Sequence, residues 1–228
     1  MVDTSFKFLP LTLGIETVGG LSTPLVRRGT PLPARRTQTF STAKDNQKGV
    51  TIQVYLGESP IAANNILVAK CELLDLPQAP RGEPQIDVIF EVDEQCKIKI
   101  SATEKKSGKQ ISSEVESSSL DLTAENIEKI LAKTAASIED DRKTVDRIEV
   151  QNRAMNLLAR AQKYLGRSTD QQVDEAVATL GLSLDSNDFT QVVAQTNRLE
   201  QLLSKTTFGP FNDAFNFDDM FSDFPSVP

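Results

Sequence analysis

The hydrophobic period of this chain changes once, near residue 120, and the change calls for two kinds of structure in series. Upstream, apolar residues recur at every second position. Val50, Ile52, Val54 and Leu56 alternate with Thr51, Gln53 and Tyr55; Ile86, Val88, Phe90 and Val92 repeat the pattern, as do Ile98, Ile100 and Ala102. A period of two sets each group on one face of a strand, which predicts antiparallel strands with a buried and a wet side. Turn formers at Gly19-Gly20, Thr23-Pro24, Asp45-Asn46, Gly57 to Pro60, Asn64-Asn65, Pro80 to Gly82 and Ser107-Gly108 separate seven or eight short strands. That spacing suggests a sandwich or barrel.

Downstream, proline disappears until Pro210 and the spacing becomes helical. Ile127, Ile130, Leu131, Ala135 and Ile138 share one stripe, with Thr123 as the N-cap. The pattern continues through Val145, Ile148, Leu158, Ala161 and Leu165 until Gly166 stops it. Val173, Ala176, Val177 and Leu180 make a further segment ended by Gly181. Asp185 or Ser186 caps a last helix that buries Phe189, Val192, Val193, Thr196, Leu199, Leu202 and Leu203. The expected fold class is α+β: an antiparallel β-sandwich followed by a small helical bundle.

Composition narrows the chemistry. There is no histidine, which removes the commonest general base, the usual zinc ligand and every Ser-His or Cys-His arrangement. No metal site and no catalytic residue is expected. The two cysteines, Cys71 and Cys96, read as reduced thiols, with a single disulfide between them as the alternative. A net charge of −7 argues against a nucleic-acid grip. Neither a basic leader followed by an apolar run nor a membrane-length segment is visible, so a soluble, intracellular protein is expected.

Three ordered motifs carry a family resemblance. Leu11 to Gly20 (LTLGIETVGG), Phe40 to Gln47 (FSTAKDNQ) running on to the strand Val50–Tyr55, and Ala79 to Val88 (APRGEPQIDV) resemble the C-terminal substrate-binding domain of the seventy-kilodalton heat-shock chaperone family, the DnaK-like proteins. Ile138 to Lys143 (IEDDRK) is similar to the lid helix of that family. The resemblance covers residues from about 8 to 166 well, and the terminal helices by length and pattern alone.

What the resemblance implies is a sandwich whose loops form a channel for a short extended peptide under a helical lid. Ile15, Phe40, Val50, Ile52 and Ile86 would line one apolar pocket near Leu21, and Thr17, Ser41, Gln47 and Thr51 would contact the peptide. Val18 and Ala43 would meet as an arch above it. Filling such a pocket with a Leu-like side chain is worth about 1.5–3 kcal/mol. Arg81 would latch to Asp141 on the lid, while Met155 and Ala159 stand where further latch partners are expected, which implies a thinned latch and faster peptide exchange. Without the resemblance, Ile15, Val50, Ile52 and Ile86 read as ordinary sandwich core rather than as ligand contacts.

The implied organisation is a divergent linker remnant over residues 1–9, the sandwich over 10–121, the lid over 122–206 and a disordered acidic, aromatic tail over 207–228. No glycine-rich phosphate loop is visible, so the expectation is a non-enzyme with no cofactor of its own, ATP belonging to a nucleotide-binding domain outside this chain. The expected function is holding extended apolar segments of unfolded polypeptides in the cytoplasm or an equivalent organelle interior. J-domain cochaperones and nucleotide-exchange factors would be further partners if the chain belongs to a longer chaperone. The alternatives are a stand-alone structural or oligomerising module, acid–base chemistry at Glu139, Asp140 and Asp141, and single-stranded nucleic-acid binding by Arg27, Arg28, Arg35 and Arg36. A solvated helix face and a solvated loop explain the last two sets better.

Overall fold

The computed structural model describes residues 6–42, 44–116, 119–166, 169–186 and 188–205. Among these residues, eight strands form two four-stranded antiparallel sheets. The strands are β1 (Leu13–Thr17), β2 (Leu21–Val26), β3 (Ala34–Ser41), β4 (Gly49–Leu56), β5 (Ile66–Leu74), β6 (Gln85–Val92), β7 (Ile98–Glu104) and β8 (Gln110–Val115). One sheet runs in the order β2-β1-β4-β5 and the other β3-β6-β7-β8. The alternation read from sequence is kept: Val54, Ile86, Val88, Phe90, Ile98, Ile100 and Ala102 all point into one buried core. Their neighbours Asp87, Glu91, Lys99 and Thr103 stay in reach of water. The expected α+β sandwich-then-helix class is the one observed.

Helices follow: α1 (Ala124–Leu165), α2 (Gln171–Ser186) and α3 (Phe189–Ser204). Thr123 caps α1, its Oγ1 accepting from Asn126 N at 3.4 Å. Asp170 caps α2, accepting from Gln172 N and Val173 N, and Asp188 caps α3, accepting from Gln191 N at 3.2 Å. The chain divides into two compact units, Met1–Arg142 and Lys143–Pro228, so the division falls inside α1 rather than at its start. In the first unit Ile127, Ile130 and Leu131 pack against the sandwich core. In the second, Ala154, Leu157 and Ala161 of α1 meet Val173, Ala176 and Leu180 of α2 and Val192, Leu199 and Leu203 of α3 in a separate core. No helix of the described residues is long and apolar enough to cross a membrane.

Local expectations are corrected in four places. Thr23-Pro24 is not a turn; both lie within β2, an edge strand, where proline is tolerated because its missing N–H faces no ladder partner. Gly181 does not end a helix, since α2 continues to Ser186 with open space around that glycine. The cap of α3 is Asp188, not Asp185 or Ser186, both of which are still inside or at the end of α2. Residues 6–9, read as linker, are fastened to the sandwich: Leu32 N donates to Lys7 O, Leu9 N donates to Thr30 O, and Leu9 is buried in the core.

Candidate functional site

Strand β1 is followed by a tight turn because Gly19 and Gly20 take positive φ, at 87° and 79°, which a side chain would strain. The turn is pinned from inside. Thr17 Oγ1 donates to Leu21 O at 3.3 Å and shares a 3.0 Å hydrogen bond with Thr23 Oγ1. It is pinned from outside by the segment after β4: Ser22 N donates to Pro60 O, Ala62 N donates to Gly20 O, and Leu21 bridges to Ile61. Val18 is left exposed at the tip.

On the other side lies the connection from β3 to β4. Ser41 Oγ donates to Pro84 O at 2.6 Å, Gly82 N donates to Thr42 O, and Asn46 N donates to Ala79 O. Gln47 uses its amide locally, Nε2 donating to Gly49 O while Oε1 accepts from Lys44 N. Arg81 N donates to Asp45 Oδ1 at 2.8 Å. The loop around Pro80 to Glu83 therefore buttresses the β3–β4 connection as the loop around Pro60 buttresses the β1–β2 turn.

Between these two braced turns the first sheet opens. Strands β1 and β4 pair at Leu13↔Leu56, Gly14↔Tyr55 and Ile15↔Val54, and the pairing stops there. Strand β4 runs on to Gly49, paired only with β5 on its other side. Gln53 Nε2 and Tyr55 OH both donate to Glu16 Oε2, tying β1 to β4 just at the point where the ladder ends. Burial and the Glu16 charge push the Tyr55 hydroxyl pKa up, keeping it a donor. The result is a length of β4 backbone, Gly49 to Gln53, that no strand pairs on the β1 side among the described residues.

The residues expected at the site fall into three groups. Ile15, Ile52 and Ile86 lie in the sandwich core, with Phe40 and Val50 half-buried against it and Phe40 directly opposite Ile86 across β3 and β6. Thr17, Ser41 and Gln47 have side chains engaged in holding their own loops, and Thr51 is exposed on β4. Val18 and Leu21 occupy the β1–β2 turn and the start of β2, whereas Ala43 lies outside the described residues, as does the tail from 206 onward.

The expected Arg81–Asp141 latch is not formed among the described residues. Asp141 is only 6% exposed and accepts from Ser59 Oγ at 2.7 Å, Asn64 Nδ2 at 3.2 Å and Ser137 Oγ at 3.3 Å. Neutral donors close by have taken the carboxylate, and exposed Arg81 donates through its backbone N–H to Asp45. Sequence reasoning missed Ser59 and Asn64, which read as turn residues. Nothing in a Ser-Pro or Asn-Asn dipeptide announces a helix carboxylate 82 or 77 positions away.

A family model described as Hsp70 protein matches residues 6–208. The chain belongs to the Hsp70 family. Membership gives it a chaperone-related role, with unfolded polypeptides and cochaperones as the general kind of partner. It also corrects one expectation: the matched model is that of the family's ATPase, so membership points to a nucleotide-binding enzyme and the reading as a non-enzyme does not stand. That reading rested on the missing glycine-rich phosphate loop as well as on the missing histidine, whereas phosphoryl transfer rests on positioning and backbone donors, which need no histidine. The described residues do not themselves assemble a phosphate cradle. Their positive-φ glycines sit in turns of the sandwich, and the N-termini of α1, α2 and α3 are closed by Thr123, Asp170 and Asp188. No nucleotide step is therefore assigned to any of them.

Proposed function

We propose that this Hsp70-family chain holds short, extended, apolar segments of unfolded polypeptide along the open side of β4. The supporting observation is the early end of the β1–β4 ladder at Ile15↔Val54, which leaves Gly49–Gln53 paired with β5 alone, between two braced turns, among the described residues. An extended peptide presents the same unpaired N–H and C=O groups whatever its sequence, so backbone pairing supplies affinity without selecting side chains. Selection falls to the apolar groups beside the opening, Phe40 and Val50 backed by Ile15, Ile52 and Ile86. A Leu-like side chain entering there gains about 1.5–3 kcal/mol from burial.

Fluorescence anisotropy with a labelled peptide carrying one central Leu between basic residues tests this reading. Val50→Phe fills the space beside β4 and is expected to weaken binding at least tenfold, about 1.4 kcal/mol or more, with the melting of the sandwich little changed. Equal affinity in the folded mutant excludes the reading.

A further inference from the structure

The helical unit from residue 143 onward divides its charge unevenly. Lys143, Arg147, Arg153, Arg160 and Lys163 stand on α1 and Arg198 on α3, whereas α2 carries Asp174, Glu175 and Asp185 and no cation. Here α1 and α3 run side by side in the same direction. Arg147 Cζ lies 5.6 Å from the centroid of the Phe189 ring, and Arg153 donates to Asn197 Oδ1 at 2.6 Å. Arg160 follows Arg153 by two helical turns and so falls on the same face. Arg147, Arg153, Arg160 and Arg198 are exposed, and none of the ion pairs among the described residues includes them. Where α1 meets the start of α3, a cleft is lined by Arg147, Gln151, Leu184, Phe189 and Val192. One turn beyond Gln151, Met155 is 57% exposed. The α1–α3 seam is therefore apolar on its floor and cationic along its rim.

We propose that this seam is the docking site of the chain's own segment 206–228, which follows α3 and lies outside the described residues. The segment matches the seam in charge, chemistry and length. Its only charged side chains are Asp213, Asp218, Asp219 and Asp223, and its apolar groups are dominated by phenylalanines from Phe208 to Phe224. It starts from the end of α3 remote from the cleft, and Gly209-Pro210 supplies a chain reversal soon afterwards. The 16 residues of α3 make it about 24 Å long, a distance that an extended chain covers in about seven residues. Counted from Pro210, that brings Phe217 to the cleft beside Arg147 and Phe189, with Phe215 on the same side two positions earlier. Asp218 and Asp219 then come beside Arg147 and Lys143, which stand one turn apart on α1. The Arg147 guanidinium already has Phe189 over one face; a second ring completes a cation–π stack, and its N–H groups are suited to a carboxylate. This docking belongs to the helical unit and does not rest on the peptide-binding reading.

Paramagnetic broadening in the full chain tests the docking. Cys71 and Cys96 are buried and their thiols are raised by burial, so a nitroxide reagent near neutral pH labels only the cysteine of an Asn216→Cys variant. The label is expected to broaden the amides of Gln151, Leu184 and Val192 and to leave Val88 in β6 sharp. High salt should weaken the effect, because the rim charges are exposed. Phe215→Ser with Phe217→Ser, substitutions that lie outside both cores, should abolish it. Arg147→Glu should abolish it as well, and Asp218→Lys with Asp219→Lys added to that variant should restore it. No broadening at the cleft, broadening spread evenly over both units, or no response to the phenylalanine and charge variants overturns the proposal. So does broadening seen only when a labelled chain is mixed with an isotope-enriched, unlabelled one, which assigns the seam to the segment of a second copy.

Discussion

Glu104 shows how much a single side chain can do in the β7–β8 turn. It is fully buried, and burial by itself would push its carboxyl pKa up. Instead Ser107 Oγ and Ser107 N each donate to it at 2.6 Å and Lys106 N donates at 3.1 Å, and these bonds carry the pKa below the ordinary carboxylate value. A depressed pKa means that the stabilisation is present above the unfolded-state value and is lost as pH falls through the folded one. Glu104→Ala is therefore expected to lower unfolding free energy by about 1.5–3 kcal/mol at neutral pH, the gap closing as urea titrations move to pH values below 4.5. A constant gap down to strong acid contradicts that role. The two thiols behave in the opposite sense: Cys71 and Cys96 are free and buried, and burial raises both, Cys96 to about 11 with help from Asp93. The cysteines were legible as reduced thiols, but the environments of Glu104 and Cys96 were not, because a partner two or three residues away counts only once the turn geometry is set.

At the level of elements, the sheets carry more information than their alternation. Across the outer face of the second sheet Arg35, Glu91, Lys99 and Glu114 stand opposite one another in register, alternating in sign, with Arg35–Glu91 at 3.3 Å and Lys99–Glu114 at 3.8 Å. Opposite charges directly across a ladder favour that register over a slip. Arg35, considered as part of a nucleic-acid surface, is thus paired within its own sheet. The first sheet depends on an irregularity instead: the β1–β2 register shifts between Leu13 and Gly14, and the strands approach so closely that a Cβ on Gly14 would lie 2.8 Å from Thr23 O. Since that neighbour is backbone, Gly14→Ala should cost about 1–3 kcal/mol, read as a lower thermal midpoint with loosened Ser22 and Thr23 amides. A neutral outcome means that the bulge relaxes freely. The strand-by-strand reading succeeded where period two is sustained and failed at Pro24, because edge placement is a property of the sheet and not of the dipeptide.

At the scale of the molecule there are two cores, one in the sandwich and one among the helices from residue 143 onward. Leu199 is fully buried in the second. Leu199→Ala is expected to destabilise the helical unit by about 2–5 kcal/mol. Exchange protection should fall at Val173, Leu180 and Leu203 while the β6 and β7 amides hold. Loss of protection throughout both units would mean that the two cores unfold as one. Val50→Phe belongs to the same scale, since it asks whether a folded sandwich can lose its ligand while keeping its core.

Period and turn chemistry alone determine that strands precede helices, which residues of Val50–Leu56, Ile86–Val92 and Ile98–Ala102 face inward, and where Thr123 and Gly166 bound the long helix. These are short-range properties, written in spacing that any neighbour relation must respect. Where the β1–β4 ladder stops, which loop braces which turn, and that Asp141 meets Ser59 and Asn64 rather than Arg81 were decided only by the tertiary structure. Each depends on which groups from distant parts of the chain arrive within hydrogen-bond reach of one another, and a carboxylate takes the donors that packing places beside it.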